Sequence, residues 1–231
     1  MIPKKIHYCW FGGKEKPKEV LKCIESWKKY CPDYEIIQWD ESNFDVNAHP
    51  YTKQAYELKK WAFVSDYARL WIVYNEGGIY LDTDVEVLKN LDDLLENDAY
   101  MGFEVAEYVN TGSGFGAVKN HQFILENMKA YDEESIIGKD GKLDPVSCPV
   151  YTTNLLREGG LTDDNGTVQR VCGVAVYPRD RFCPYNYITG VMNITDNTYS
   201  IHLYSMTWLG KAQVIKSKFT KIIHRLSGKY K

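Results

Sequence analysis

The chain has 231 residues, of which 44% are hydrophobic and 26% are charged, and its formal net charge is −3. This composition fits one folded domain, or a domain with a small appendage, whose core is large enough to fold unaided. No apolar run approaches the roughly 18 residues of a membrane span, and we expect the N-terminal MIPKKIHYCWFGG not to be a signal peptide.

The six cysteines form no CxxC pair and no zinc-type spacing. The pattern therefore argues against a metal–thiolate site. It favours reduced, mostly buried thiols, which are typical of a cytoplasmic protein.

The first elements alternate between strand and helix patterns. KKIHYCWF predicts a strand that ends at Gly12–Gly13, residues 17–30 predict a helix, and YEIIQWD predicts a second strand. Such alternation favours an α/β fold, in which helices cover a largely parallel sheet.

A long helix is predicted over residues 52–76, closed by Gly77–Gly78, followed by the strand IYLDTDVEV. The remaining predicted elements are strands at 98–104 and 115–118, a helix at 119–131, loops with one short helix (PVYTTNLLREGG) across 132–170, and late strands in VAVYPRDRFCPY and YSIHLYSMTW.

Two carboxylates, Asp82 and Asp84, stand at the end of an apolar strand. Residues two apart in a strand point to the same side, so we expect these side chains to converge. At the carboxyl end of a strand in an open α/β sheet, they would face the crevice where ligands bind. Convergent carboxylates bind Mg²⁺ or Mn²⁺, with water or substrate phosphates completing the shell.

Ser65, Asp66 and Arg69 lie at helical spacing, which puts all three on one face. Asp66 and Arg69 alone would indicate an ordinary ion pair on a solvated face. Their neighbours are largely apolar, however, and a charged pair within an apolar helix indicates a functional site.

At these motifs the chain resembles a known family. The segments IPKKIHYCWFGG, SDYARLWIVYNEGGIYLDTDVEVLKNLDDLL and SIHLYSMTW are similar to glycosyltransferase family 32, the sugar transferases built around a DxD motif, and to the glucosyltransferase domains of clostridial toxins. The resemblance implies a GT-A fold with a Rossmann-like mixed sheet, a nucleotide-sugar donor, a divalent metal and retention of anomeric configuration. It also suggests a role in capsular or other cell-surface polysaccharide synthesis.

The resemblance also assigns roles to individual residues. Trp10 would stack on the uracil ring, so a UDP-sugar is favoured over GDP-mannose as donor. Ser65, Asp66 and Arg69 would hold the donor, and Tyr80 would contact its ribose. Catalytic roles fall to Asp82, Asp84 and Arg69, metal ligation to Asp82, Asp84 and His202, and closure over the diphosphate to His202 and Trp208.

Several alternatives stay open. Arg69 either holds the donor or is used by Asp66 mainly for orientation, and HLYSMTW leaves open whether Ser205 or Thr207 faces the phosphate. Front-side attack is favoured over a covalent intermediate; the candidates for the anomeric face are Asn110, Thr111, Ser113 and Glu104. The alternatives to a glycosyltransferase are a nucleotide-sugar hydrolase and a noncatalytic carbohydrate-binding relative.

The last 21 residues form a basic tail. Residues 211–231 hold seven Lys or Arg and no acidic residue, so their charge is +7. Since the whole chain has a net charge of −3, residues 1–210 carry −10. We expect a glycosyltransferase domain over 1–210 and a C-terminal amphipathic helix over 211–231. Such a helix would dock on the domain, or attach a cytoplasmic enzyme to an anionic membrane surface bearing a lipid-linked glycan acceptor. We expect no nucleic-acid partner.

Overall fold

The computed structural model describes residues 1–164 and 166–205. Trp208 and the basic tail, with its predicted helix and domain boundary, lie outside the described residues. The helices are α1 (Lys18–Tyr30), α2 (Pro50–Glu57), α3 (Trp61–Glu76), α4 (Gln122–Lys129) and α5 (Cys148–Glu158). The strands are β1 (Lys5–Cys9), β2 (Glu35–Trp39), β3 (Gly78–Tyr80), β4 (Val85–Val87), β5 (Ala99–Gly102), β6 (Phe115–Ala117), β7 (Gln169–Val171), β8 (Val174–Tyr177), β9 (Tyr185–Asn186), β10 (Val191–Met192) and β11 (Ser200–His202).

Within that part of the chain, a seven-stranded mixed sheet has the order β2-β1-β3-β6-β5-β8-β7. β1 is parallel to both β2 and β3, as the β-α-β opening predicts. β6 is antiparallel to both β3 and β5, which makes the sheet mixed. The predicted mixed α/β sheet is confirmed.

Helices cover both faces of this sheet. Val64 and Leu70 of α3, with Ile124 of α4, belong to the hydrophobic cluster on one face. Ile24 and Trp27 of α1 belong to the cluster on the other face. Because side chains alternate along a strand, neighbouring residues of β3 and β5 serve opposite clusters. None of the helices described in residues 1–164 and 166–205 has the length and apolar character needed to cross a lipid bilayer.

The prediction of one long helix over 52–76 is wrong, because α2 and α3 are separate. Lys59 adopts a left-handed conformation, with φ of 55°. The Lys60 amide then donates to the Ala55 carbonyl at 2.8 Å, which closes α2 as in a Schellman turn. No glycine marks this turn, so the helical pattern continues through it without interruption.

The prediction of one strand over IYLDTDVEV is also wrong. The chain leaves the large sheet after Tyr80 and turns, with the Val85 amide donating to the Asp82 carbonyl at 3.0 Å. It then enters β4, which pairs antiparallel with β11 in a separate two-stranded ribbon. Asp82 and Asp84 therefore lie in the turn between two sheets, rather than within one strand.

Candidate functional site

The turn between β3 and β4 brings three predicted ligands together. One ligand atom each from Asp82, Asp84 and His202 lies within 4.8 Å of the others. His202 reaches this position because β11 pairs with β4 in a register that places it opposite Val85. The predicted convergence is thus observed, although the ribbon and the turn produce it rather than the strand alternation that we expected.

Asp82 is held by two donors from the core. Its Oδ1 accepts from Arg69 Nη2 and from the Tyr80 hydroxyl, each at 3.0 Å. Burial raises the pKa of Asp82, and the guanidinium of Arg69 opposes that rise. These contacts fix the orientation of the first carboxylate of the motif.

Arg69 is buried, with 3% of its surface exposed, and its donors are already engaged. Nη2 also pairs with Asp66 Oδ1 at 3.0 Å, and Nε donates to the Ser65 carbonyl at 3.1 Å. Because a buried charge needs paired partners, this arrangement suits a guanidinium that orients two carboxylates. Of the two roles left open for Arg69, the geometry favours orientation over direct contact with a donor.

Asp66 lies at the edge of this ion-paired group, with 12% of its side chain exposed. Burial raises the pKa of Asp66 to about 6, against the opposing effect of Arg69. The carboxylate is thus ionised at neutral pH and retains an exposed edge. That edge can accept hydrogen bonds from a polar ligand.

Asp84, the second carboxylate, is held from the C-terminal side of the chain. Its Oδ1 lies 3.3 Å from His202 Nε2, and its Oδ2 accepts from the amide and hydroxyl of Ser205 at 2.8 and 2.9 Å. Burial alone would raise the pKa of Asp84, but His202 and the Ser205 donors outweigh it and hold the pKa below its usual range. These contacts favour the ionised form of Asp84.

These residues fit a divalent cation. With His202 neutral, the carboxylates of Asp66, Asp82 and Asp84 outnumber the single guanidinium of Arg69 by two charges. Burial lowers the pKa of His202, but the Asp84 carboxylate outweighs that effect and holds the pKa well above its ordinary value, which reflects the negative potential at this position. Carboxylate oxygens with one imidazole match the ligand preferences of Mn²⁺.

The other predicted donor-binding residues that the structure describes are Trp10, Ser65 and Tyr80. Trp10 is half-buried at the end of β1, where its Nε1 donates to the Lys14 carbonyl at 2.6 Å. Ser65 donates its hydroxyl back to the Trp61 carbonyl within α3. Tyr80 is only 1% exposed, so its contact with Asp82 gives it a supporting place, and the ribose contact stays a prediction.

Sequence reasoning missed Gly112 and Cys148. A Cβ on Gly112 would lie 2.3 Å from Asp82 Oδ2 and 3.2 Å from Arg69 Nη1. A side chain at this position would have to displace the Asp82 carboxylate. NTGSGFG offered no signal that distinguished this glycine from its neighbours. Cys148, at the start of α5, places its Sγ 3.5 Å from Arg69 Nη1, a contact that no local pattern could reveal.

The candidates for the anomeric face are buried, and three of the four are hydrogen-bonded to one another. Asn110 donates from Nδ2 to Glu104 Oε2 at 2.8 Å, and its carbonyl accepts from the Ser113 hydroxyl at 3.0 Å. Thr111 Oγ1 lies 3.5 Å from Arg69 Nη1. The loop 104–113 is therefore fixed by its own hydrogen bonds beside Asp82, and we call it the wall beside Asp82. Its contact with a sugar stays a prediction.

Comparison with known proteins gives concordant matches. Residues 17–101 match a family described as the glycosyltransferase sugar-binding region containing a DXD motif. Inositol phosphoceramide mannosyltransferase 3 of Schizosaccharomyces pombe is 33% identical over 54% of this chain and 36% of its own length. An uncharacterised glycosyltransferase, L373 of Acanthamoeba polyphaga mimivirus, is 33% identical over 67% of each chain. The chain thus spans about a third of the yeast enzyme it matches.

Two solved structures share the fold. The PaToxG glycosyltransferase aligns with a TM-score of 0.52 and 20% identity, over 68% of this chain and 69% of its own. The galactosyltransferase LgtC, in complex with donor and acceptor sugar analogues, aligns with a TM-score of 0.50 and 15% identity, over 94% and 93% of the two chains. The predicted GT-A type of fold is confirmed.

Proposed function

Because the chain belongs to the family of glycosyltransferases whose sugar-binding region contains a DXD motif, we propose that it is a metal-dependent, retaining hexosyltransferase. The donor is a nucleotide-sugar, with a UDP-sugar favoured. The acceptor is a glycan or a lipid-linked glycan, and the setting is the synthesis of a cell-surface polysaccharide.

The observation that carries this proposal is the convergence of Asp82, Asp84 and His202 within 4.8 Å. These side chains would hold Mn²⁺ or Mg²⁺ against the donor diphosphate. A divalent ion at that position acts as a Lewis acid and stabilises the charge on the departing nucleoside diphosphate. A purely structural turn does not require two carboxylates and an imidazole at such short separations.

The surrounding residues orient the carboxylates and contact the donor. Arg69 orients Asp82 and Asp66, and the exposed edge of Asp66 accepts hydrogen bonds from the donor sugar. Trp10 offers its ring to the base, and Ser65 lies on the same face of α3 as Asp66 and Arg69. Trp208 and the segment that follows Ser205 would close over the diphosphate, as the resemblance implies.

Front-side attack suits the wall beside Asp82 better than a covalent intermediate. Glu104, the carboxylate beside Asp82, is only 7% exposed, and its Oε2 accepts hydrogen bonds from Asn110 and from Tyr204. A nucleophile must reach the anomeric carbon, and a side chain this buried has little surface with which to do so. The retaining route therefore rests on the leaving phosphate accepting the proton of the acceptor hydroxyl.

The names of two relatives bear on the acceptor. Schizosaccharomyces pombe inositol phosphoceramide mannosyltransferases 1 and 3 act, by name, on a lipid. A lipid-linked acceptor at the cytoplasmic face of a membrane would suit the basic tail over 211–231, which would act as a peripheral anchor. Their mannosyl specificity requires GDP-mannose to be tested beside the UDP-sugars.

The test is a donor panel of UDP-glucose, UDP-galactose, their N-acetyl forms and GDP-mannose. Each donor is scored for protection against thermal unfolding and for turnover, with and without Mn²⁺. We expect one donor to be turned over only with metal, and EDTA to abolish that turnover reversibly. Product analysis with and without added glycan separates a transferase from a nucleotide-sugar hydrolase.

The matched variants are Asp84→Asn and Asp140→Asn. Asp84→Asn removes a ligand charge without changing the size of the side chain, so we expect metal-dependent turnover to be lost while the fold survives. Asp140 lies on an exposed loop, and its variant should behave as the wild type. Full turnover by Asp84→Asn, or by the wild type in EDTA, would refute the proposed function.

A further inference from the structure

Tyr204 has an unusual backbone, and both its ring and its hydroxyl make contacts. Its φ of 48° lies in the left-handed region, which costs energy for a residue with a bulky side chain. Its ring stacks on that of His202, with centroids 4.0 Å apart and planes at 28°. Its hydroxyl donates to Glu104 Oε2 at 2.9 Å. These contacts therefore offset the cost of the conformation.

Glu104 receives a second hydrogen bond that leads to the other side of the cluster. Asn110 Nδ2 donates to the same Oε2 at 2.8 Å, and Asn110 Oδ1 accepts from the Gly112 amide at 2.6 Å. The Gly112 carbonyl in turn accepts from the Asp82 amide at 3.2 Å. A continuous set of contacts thus runs from the His202 ring to the backbone of Asp82.

This set closes a ring through the candidate metal site. His202 pairs with Asp84 on one side, and Gly112 adjoins Asp82 on the other. Glu104 is the point at which the loop 104–112 and the segment after β11 meet. A buried carboxylate is costly unless it is fully bonded, so its retention at this junction needs a reason.

We propose that Glu104 and Tyr204 are positioning residues, which hold His202 and Asp82 at the separation that a divalent cation requires. The inference rests on the proposed metal site and adds to it two residues that ligate nothing themselves. Metal ligands bind well only when outer contacts fix their orientation, and loss of such a contact typically lowers metal affinity by about 10–100-fold. Glu104 thereby has a role other than that of a nucleophile.

The experiment measures Mn²⁺ binding to the purified full chain by calorimetry, with the electron paramagnetic resonance spectrum of bound Mn²⁺ as a second readout. Tyr204→Phe keeps the ring stack and removes the hydroxyl that reaches Glu104. We expect it to weaken Mn²⁺ binding by about tenfold or more and to change the spectrum. Tyr187→Phe removes the hydroxyl of the neighbouring ring, 4.6 Å from Tyr204 between centroids, and should bind as the wild type does.

Variants of Glu104 test the hydrogen bonds themselves. Glu104→Gln keeps an oxygen that can accept from both Tyr204 and Asn110, so we expect near-normal Mn²⁺ affinity. Glu104→Ala should lose affinity as Tyr204→Phe does, and circular dichroism shows whether it remains folded.

The outcomes separate this inference from the function on which it rests. Wild-type affinity and spectrum in Tyr204→Phe, or equal losses in Tyr204→Phe and Tyr187→Phe, would overturn the positioning role and leave the metal site standing. Equal losses in Glu104→Gln and Glu104→Ala would also overturn it. Failure of the wild-type protein to bind Mn²⁺ would overturn the metal site, and the inference with it.

Discussion

His7 provides a quantitative test of how the strand before the site is held. The side chain is fully buried in β1, with Nε2 2.9 Å from the Gly77 carbonyl and Nδ1 3.1 Å from Trp39 Nε1. Because an indole nitrogen only donates, Nδ1 must accept, and the proton must lie on Nε2. A second proton would set two donors against each other beside the glycine turn that begins β3.

The magnitude follows from the shift in pKa. Burial lowers the pKa of His7 from 6.5 to about 4. The neutral form is thus favoured by folding, so this stabilisation is complete above pH 6.5 and is lost as the pH falls towards 4. At 1.36 kcal/mol per pKa unit, the protein should lose on the order of 2 kcal/mol between pH 8 and pH 5 from this group alone.

The assay compares urea unfolding of the wild type and His7→Gln across pH 5–8. Glutamine can donate to the Gly77 carbonyl but does not titrate, and all other ionisable groups cancel in the difference between the two proteins. We expect the wild type to lose about 2 kcal/mol relative to the variant as the pH falls. Parallel stability curves would refute the depressed pKa of His7.

Three further predictions concern the site and the tail. Gly112→Ala places a Cβ 2.3 Å from Asp82 Oδ2, so Mn²⁺ affinity measured by calorimetry should fall by about 10–100-fold; Gly116→Ala, which meets Tyr100 in the core, should lower the melting temperature and spare Mn²⁺ affinity. Trp10→Ala should weaken donor binding by roughly 1–3 kcal/mol if the ring stacks on a base. Unchanged donor affinity with lower stability would show that Trp10 has only a structural role. Deleting residues 211–231 should abolish sedimentation with anionic vesicles and leave activity on soluble acceptors intact; retained vesicle binding, or unfolding, would contradict the membrane role.

The local parts of the fold were predictable because short-range patterns determine them. The apolar spacing of α1 and the glycine end of α3 gave their positions closely, since burial of one helix face and a left-handed cap both leave a trace in sequence. The break between α2 and α3 leaves no such trace in the sequence, because Lys59 adopts the left-handed conformation that glycine usually takes. The predicted helix therefore continued across this break.

The site was predictable in its residue types and less so in its assembly. The DxD spacing and the charged pair on α3 pointed to Asp82, Asp84, Asp66 and Arg69, because buried charge is rare without a purpose. The pairing of Arg69 with Asp82 depends on how α3 packs against the turn after β3. Residue spacing alone does not determine that packing. Gly112 was missed for the same reason, since its constraint comes from a carboxylate 30 positions earlier in the chain.

The pairing of β4 with β11 has a consequence for the order of events during synthesis. The two strands are more than 100 residues apart in the chain, so their ribbon closes one of the longest loops in the domain. A ribosome that has released the chain through β4 has already released both motif carboxylates, but Asp84 gains His202 and Ser205 only when the far strand arrives. Until then the nascent chain carries the Asp84 carboxylate without these partners, whereas Asp82 can already pair with Arg69 and Tyr80. The contacts of Asp84 with His202 and Ser205 can form only after β11 has been released, so incomplete chains that stop before β11 should be unable to acquire activity.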